Sequence, residues 1–207
     1  MIKNRRAFIV GIKSTTLSKK EKKFLKKYKP WGVILFSRNV KEFKQIKKLI
    51  SDIKLIFKDK KYPILIDQEG GRVNRLNKLI ESSIFTAEYF GNLYKKNKYK
   101  FYNYYKIYIN QISYLLKELG ININTVPVLD VKSSKSSNII GDRSYSSIPK
   151  NVSKIGDFCI EEFKKSGVAT VIKHIPGHGL AKVDSHKKTP IVKYKSKYLF
   201  KNDFSTF

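Results

Sequence analysis

The chain has 207 residues, enough for a full hydrophobic core, and its 41% hydrophobic content is ordinary for a soluble domain. The net charge of +28 would suit an anionic partner, yet 38 of the 44 basic residues are lysines spread along the chain, and no arginine-rich reading motif accompanies them, so a specific nucleic-acid partner is not expected. Cys159 is the only cysteine, which excludes an intrachain disulfide and a thiolate metal centre.

Ala7 to Ile12 is a short apolar strand, about half the length of a signal-peptide core, and no apolar stretch approaches the roughly 20 residues of a membrane span. A cytoplasmic protein with no membrane partner is the resulting expectation. Ser18 is placed to cap a basic helix with Phe24, Leu25 and Tyr28 inward, ended by Pro30. Gly32 to Phe36 is a second buried strand. Lys41 to Phe57 then puts Phe43, Ile46, Leu49, Ile50 and Ile53 at helical spacing, and Pro63 opens a third strand, PILID.

The stretch Thr86 to Leu119 reads as one helix, rich in tyrosine and lysine, with Tyr104, Tyr108, Ile112, Leu115 and Leu119 as its core face. Its aromatic and basic mixture is also what stacks on nucleobases, but the spacing favours a core. Ile121 to Val131 is a fourth strand reaching Asp130, Pro149 to Ser166 a helix with Ile155, Phe158, Cys159, Glu162 and Phe163 on successive turns, and Ala169 to Ile172 a fifth strand. Strands apolar on both faces, alternating with helices, indicate a parallel α/β sheet covered by helices.

In that architecture the carboxyl ends of the strands form the active face. The polar groups there are Arg38 and Asn39, then Asp67, Gln68 and Glu69, then Asp130, then Lys173 and His174. Each could serve singly as a cap or loop residue; their convergence is what suggests a site. All three histidines lie in VIKHIPGHGLAKVDSHKKTP, where Pro176, Gly177 and Gly179 forbid a continuing helix. His174 and His178 therefore do not share a helical face. Asp184 and His186, two apart in an extended segment, point to one side, where the carboxylate can fix the imidazole tautomer. The same segment can be read as a structural loop, or as a metal site of His174, His178, Asp184 and His186, although the spacing fits none of the usual zinc patterns. No metal and no cofactor is expected.

The motifs WGVILFSRN, ILIDQEGGRVNRL, NTVPVLDV, IIGDRSYS and IKHIPGHGLAKVDSHKKTP, in this order, resemble the family-3 glycoside hydrolases, and within them the bacterial cytoplasmic β-N-acetylglucosaminidases of cell-wall recycling. The resemblance implies a (β/α)8 barrel, with residues 1–207 as the N-terminal part of a single barrel domain. It also implies retaining hydrolysis of terminal β-linked N-acetylglucosamine from muropeptides or related glycans. Carried over by motif, Asp67, Arg75, Arg143, Lys173 and His174 bind the donor sugar, and His186 with Asp184 forms the acid/base dyad. The family's nucleophile, an aspartate in an S-D-D-L-like motif, has no counterpart after Pro190; Asp203, in KNDFSTF, is the one later acidic residue. The expectation is a truncated enzyme of about five of the eight strand–helix units, or an inactive carbohydrate- or nucleic-acid-binding remnant of one, its oligomeric state open. The segment from His174 to Pro190 is expected at the carboxyl-end face, with Asp67, Asp130, Arg143 and Lys173 on one cavity.

Overall fold

A computed structural model describes residues 4–133, 139–183 and 188–207. Five strands lie side by side in chain order: β1 (Arg6–Gly11), β2 (Pro30–Leu35), β3 (Ile64–Ile66), β6 (Ile123–Asn124) and β7 (Ala169–Thr170). Every pairing between them is parallel. Parallel neighbours need crossovers, here α1 (Lys19–Tyr28), α2 (Phe43–Phe57), the pair α3 (Ala87–Lys96) and α4 (Lys98–Leu119), and α5 (Pro149–Lys165). Right-handed crossovers between sequential strands keep all helices on one face, so the sheet is a curved barrel wall; a doubly wound fold would reverse its strand order. After β3 a small antiparallel ribbon, β4 (Gln68–Gly70) with β5 (Val73–Asn74), stands at the carboxyl end of the wall. The described chain ends in α6 (Ser196–Lys201) and a turn of 3-10 helix, Phe204–Thr206, which packs on α5 and donates Thr206 Oγ1 to Leu129 O at 2.8 Å.

The local chemistry accounts for the element ends. Ser18 caps α1 in a reciprocal box with Glu21, and Lys29, in left-handed backbone, closes it. Leu25 is buried, whereas Phe24, expected inward, is exposed and packs edge-on against Phe8. Phe43 is likewise exposed, while Ile46, Leu49, Ile50 and Ile53 form the inner stripe of α2.

Thr86 to Leu119 is two helices, not one. Asn97 takes extended backbone, ends α3 by donating its N–H to Leu93 O, and starts α4 by accepting from the Lys100 N–H at 3.0 Å. The restart changes the helical phase, so the buried face of α4 is Phe101, Tyr105, Tyr108, Ile109, Ile112, Leu116 and Leu119, while Tyr104 is 49% exposed and Leu115 only partly covered. The long fourth strand is also shortened. Only Ile123 and Asn124 join the ladder; Pro127 has no N–H to give, and pairing resumes where Leu129 N–H donates to Lys173 O at 2.7 Å. Among the described residues no helix is long and apolar enough to cross a membrane.

Candidate functional site

Asp67 follows β3 directly, so its side chain stands at the carboxyl end of the wall. The next turn is held by glycine: Gly70 has φ +96°, and a Cβ there would lie 2.3 Å from Phe85 O. This tight ribbon sets Glu69 between Arg143 and Lys173 and brings Arg75 back beside Asp67, with Arg75 Nη2 3.6 Å from Asp67 Oδ2. Asn124, at the end of β6, clamps the ribbon from below, donating to Gln68 O and accepting the Gln68 N–H, both at 3.0 Å.

Lys173, after β7, reaches across the wall. Its Nζ lies 2.9 Å from Asp67 Oδ1, 2.6 Å from Glu69 Oε1 and 3.2 Å from Thr125 Oγ1, which takes all three ammonium N–H directions. Thr125 Oγ1 also donates to Asp67. Arg143 comes from the short 3-10 turn Gly141–Arg143 and presents its Nε and Nη2 edge to Glu69 at 2.8 and 2.9 Å, a bidentate pair. The Lys173–His174 peptide is cis. His174 Nδ1 donates to Asp130 Oδ2 at 2.6 Å, and Arg143 Nη2 lies 3.4 Å from His174 Nε2, so the partners assign the proton to Nδ1 and leave Nε2 as acceptor. The other Asp130 oxygen accepts the His178 backbone N–H at 2.6 Å.

These contacts set the charge states. Burial works to raise the Asp67 carboxyl, but Lys173, Thr125 and Arg75 outweigh it and hold it below the usual carboxylate range. Glu69 is more buried still, and the Arg143 fork together with Lys173 again wins, so it too stays ionised. Burial would lower Arg143, yet its bonds to Glu69 raise it.

The structure thus brings together Asp67, Arg75, Arg143, Lys173 and His174, with Asp130 behind the imidazole. Arg38 and Asn39 do not join them; both donate to Ile12 O and hold the β1 loop. Asp184 and His186 lie outside the described residues, and with them the remainder of the four-ligand metal alternative. Among the described residues no group of three or more potential ligands is placed to hold a metal. Glu69 and Thr125 are missing from the motif-derived site. Glu69 was visible in sequence as a polar residue after an apolar strand, whereas Thr125 carried no local signal. Asp203 gave none either, yet it is 4% exposed, lies against Gly177, and has an Oδ2 with no partner among the described residues; burial, then the charge of Asp130, pushes its carboxyl up to about 6.

Comparison with known proteins agrees with this architecture. Residues 6–207 match the glycosyl hydrolase family 3 N-terminal domain. The chain is 33% identical over 201 residues to beta-hexosaminidase A of Pseudoalteromonas piscicida, covering 93% of this chain and 32% of that protein. It is 32% identical over 187 residues to the beta-hexosaminidase of Hydrogenovibrio crunogenus, covering 88% and 50%. Among solved structures, native NagZ from Neisseria gonorrhoeae superposes with a TM-score of 0.87 at 26% identity, covering 98% of this chain and 58% of that one. The structure of that protein with N-trifluoroacetyl-D-glucosamine superposes with a TM-score of 0.83. The chain therefore spans between a third and somewhat over half of the length of these relatives.

Proposed function

Because the chain belongs to glycosyl hydrolase family 3, with a TIM-barrel-type α/β fold, we propose that its cavity is the donor-sugar subsite of a β-N-acetylhexosaminidase that removes terminal β-linked N-acetylglucosamine from peptidoglycan-derived muropeptides in the cytoplasm. The observation that carries the reading is the ordered cluster of Asp67, Glu69, Arg143, Lys173 and His174 at the carboxyl ends of the strands. Asp67 has acceptor capacity left for a pair of sugar hydroxyls, since a carboxylate offers about four lone-pair directions. The Arg75 side chain is 30% exposed, so its guanidinium, beside Asp67 at 3.6 Å, is a donor for a ring substituent, while its Nε is buried with no partner among the described residues. His174 Nε2, its tautomer fixed by Asp130, has one lone pair, which a sugar hydroxyl takes in place of the long 3.4 Å contact to Arg143.

Retaining hydrolysis needs an acid/base on one side of the sugar and a carboxylate nucleophile on the other. We assign the first role to His186, oriented by Asp184: an imidazole with a reference pKa of about 6.5 can protonate the leaving oxygen and then deprotonate water. Asp67, Glu69 and Asp130 are each committed to cations, an imidazole or an N–H, so none is placed to attack the anomeric carbon. The described residues thus carry the binding part of the reaction, and the 207-residue chain is expected to bind the sugar without turning it over.

The test joins ligand-observed NMR titration of N-acetylglucosamine with an assay on 4-nitrophenyl N-acetyl-β-glucosaminide. Expected are weak saturable binding, lost in Asp67→Ala, and hydrolysis hardly above background. Absence of sugar binding sinks the subsite. Robust turnover abolished by Asp184→Ala, His186→Ala and Asp67→Ala shows instead a chain that is catalytically self-sufficient. Binding of duplex DNA is expected to be weak and steeply salt-dependent, as scattered lysine–phosphate contacts give.

A further inference from the structure

The cluster poses a question that a sugar subsite alone does not answer. A chain of charge +28 with an arginine and a lysine side by side in a cleft should capture anions, because a guanidinium edge and an ammonium are the usual ligands of phosphate and carboxylate. We propose that Glu69, to which the motif comparison assigned no role, is the specificity-determining residue that turns this cleft from an anion site into a site for an uncharged sugar. The inference rests on the reading of the cleft as a sugar subsite.

The geometry supports it in two ways. Glu69 occupies the Nε–Nη2 edge of Arg143 at 2.8 and 2.9 Å, the edge an incoming anion would fork onto, and it draws Lys173 Nζ to 2.6 Å. Its side chain is only 8% exposed, against 15% for Arg143 and 13% for Lys173, and both of its oxygens are taken by these cations, so it acts on a ligand chiefly through them. The charge balance is the second way. Among the described residues the connected cluster has three carboxylates, Asp67, Glu69 and Asp130, against the cations Arg75, Arg143 and Lys173. Glu69 closes that balance; without it the cleft carries one net positive charge at low local dielectric, where charge acts most strongly. With it, Lys173 and the Nε–Nη2 edge of Arg143 are occupied, and what the ligand meets is the Asp67 carboxylate, which matches hydroxyls and repels anionic groups, beside an Arg75 guanidinium already held against that carboxylate at 3.6 Å.

The experiment compares the full chain with Glu69→Gln, which keeps the shape and removes the charge, and Glu69→Asp, which keeps the charge. Inorganic phosphate, N-acetylglucosamine 6-phosphate and N-acetylglucosamine are titrated at constant ionic strength, following the backbone amide NMR signals of Gly70, Arg143 and His174. In the unaltered chain N-acetylglucosamine should shift these signals and phosphate should not. Glu69→Gln should gain phosphate affinity at the same signals by about tenfold or more and lose sugar affinity by a similar factor, the scale of charge-assisted over neutral hydrogen bonds. Glu69→Asp should restore the original order in part. Phosphate binding in the unaltered cleft as tightly as sugar overturns the proposal, and that arm decides even if Glu69→Gln does not fold. A Glu69→Gln chain that loses sugar binding without gaining phosphate overturns it too, since that is what a purely structural role predicts. If the unaltered chain binds neither ligand, the sugar subsite is what fails, and the phosphate gain in Glu69→Gln still reads the role of Glu69.

Discussion

The aromatic layer on the outside of the barrel wall and the charged cluster at its carboxyl end are both buried, yet they are held by opposite kinds of force. In the layer, Phe90 and Tyr105 lie 4.2 Å apart by ring centroids and Phe101 and Tyr105 5.4 Å, with Tyr105 and Tyr145 hydroxyls meeting at 2.6 Å over the buried Cys159. Burial raises both phenols well above their ordinary range and the Cys159 thiol to about 12, so the layer carries no charge at neutral pH. Its attraction is non-directional and scales with area. The cluster at the other end is directional and charge-balanced, and desolvating its ions consumes much of what their attraction returns. Stability should therefore be concentrated in the layer and selectivity in the cluster.

The sharpest way to break this comparison is Phe101→Ala, which removes a fully buried ring and should cost about 3–5 kcal/mol, a large part of a typical domain's stability, in urea unfolding. Sugar binding by the folded fraction should be unchanged. Arg143→Ala comes next, at about 2–3 kcal/mol, the scale of lost hydrogen bonds to a charged group, because Glu69 keeps only Lys173 as partner. The double replacement Glu69→Leu with Arg143→Met should cost less than Arg143→Ala alone while abolishing sugar binding. A double variant less stable than the single one contradicts the division of labour.

The pH dependence of stability separates the two regions further. Asp203 is raised in the folded state, so folding favours its protonated form; stability falls as pH rises from the unfolded value of about 4 through about 6. Asp67 and Glu69 are depressed, so their contribution is present above the unfolded values of about 4 and is lost as pH falls through the lower folded ones. From these three groups a stability maximum between about pH 4 and 5 is expected in urea titrations. Asp203→Asn should flatten the upper limb and add roughly 1–2 kcal/mol at pH 8, a partial return of a shift of about two pKa units. Glu69→Gln should flatten the acid limb. The smallest effect is expected of Tyr99→Ser: this ring of α4 is 77% exposed, and its loss should change stability by less than about 0.5 kcal/mol. A larger cost would place the aromatic layer's boundary wrongly.

The sequence alone determined that strands and helices alternate, that the strands run parallel and that Asp67, Lys173 and His174 follow strand ends, because periodicity and capping residues are local properties. The family motifs added Arg75 and Arg143. The burial expected of every strand holds for β2, β3 and β6 but not for the edge strands β1 and β7. Ser18 could be read directly as a cap, since a helix start demands such a side chain. Only the tertiary structure decided the break at Asn97, the phase of α4 and the early departure of β6 from the ladder, for each depends on which neighbour takes the freed backbone groups. It also decided the pairing within the cleft. A sequence shows that two cations and several carboxylates converge, but Glu69 takes the Arg143 edge across 74 positions and Lys173 reaches Asp67 across 106, distances over which no local pattern survives and only the geometry of the barrel wall assigns partners.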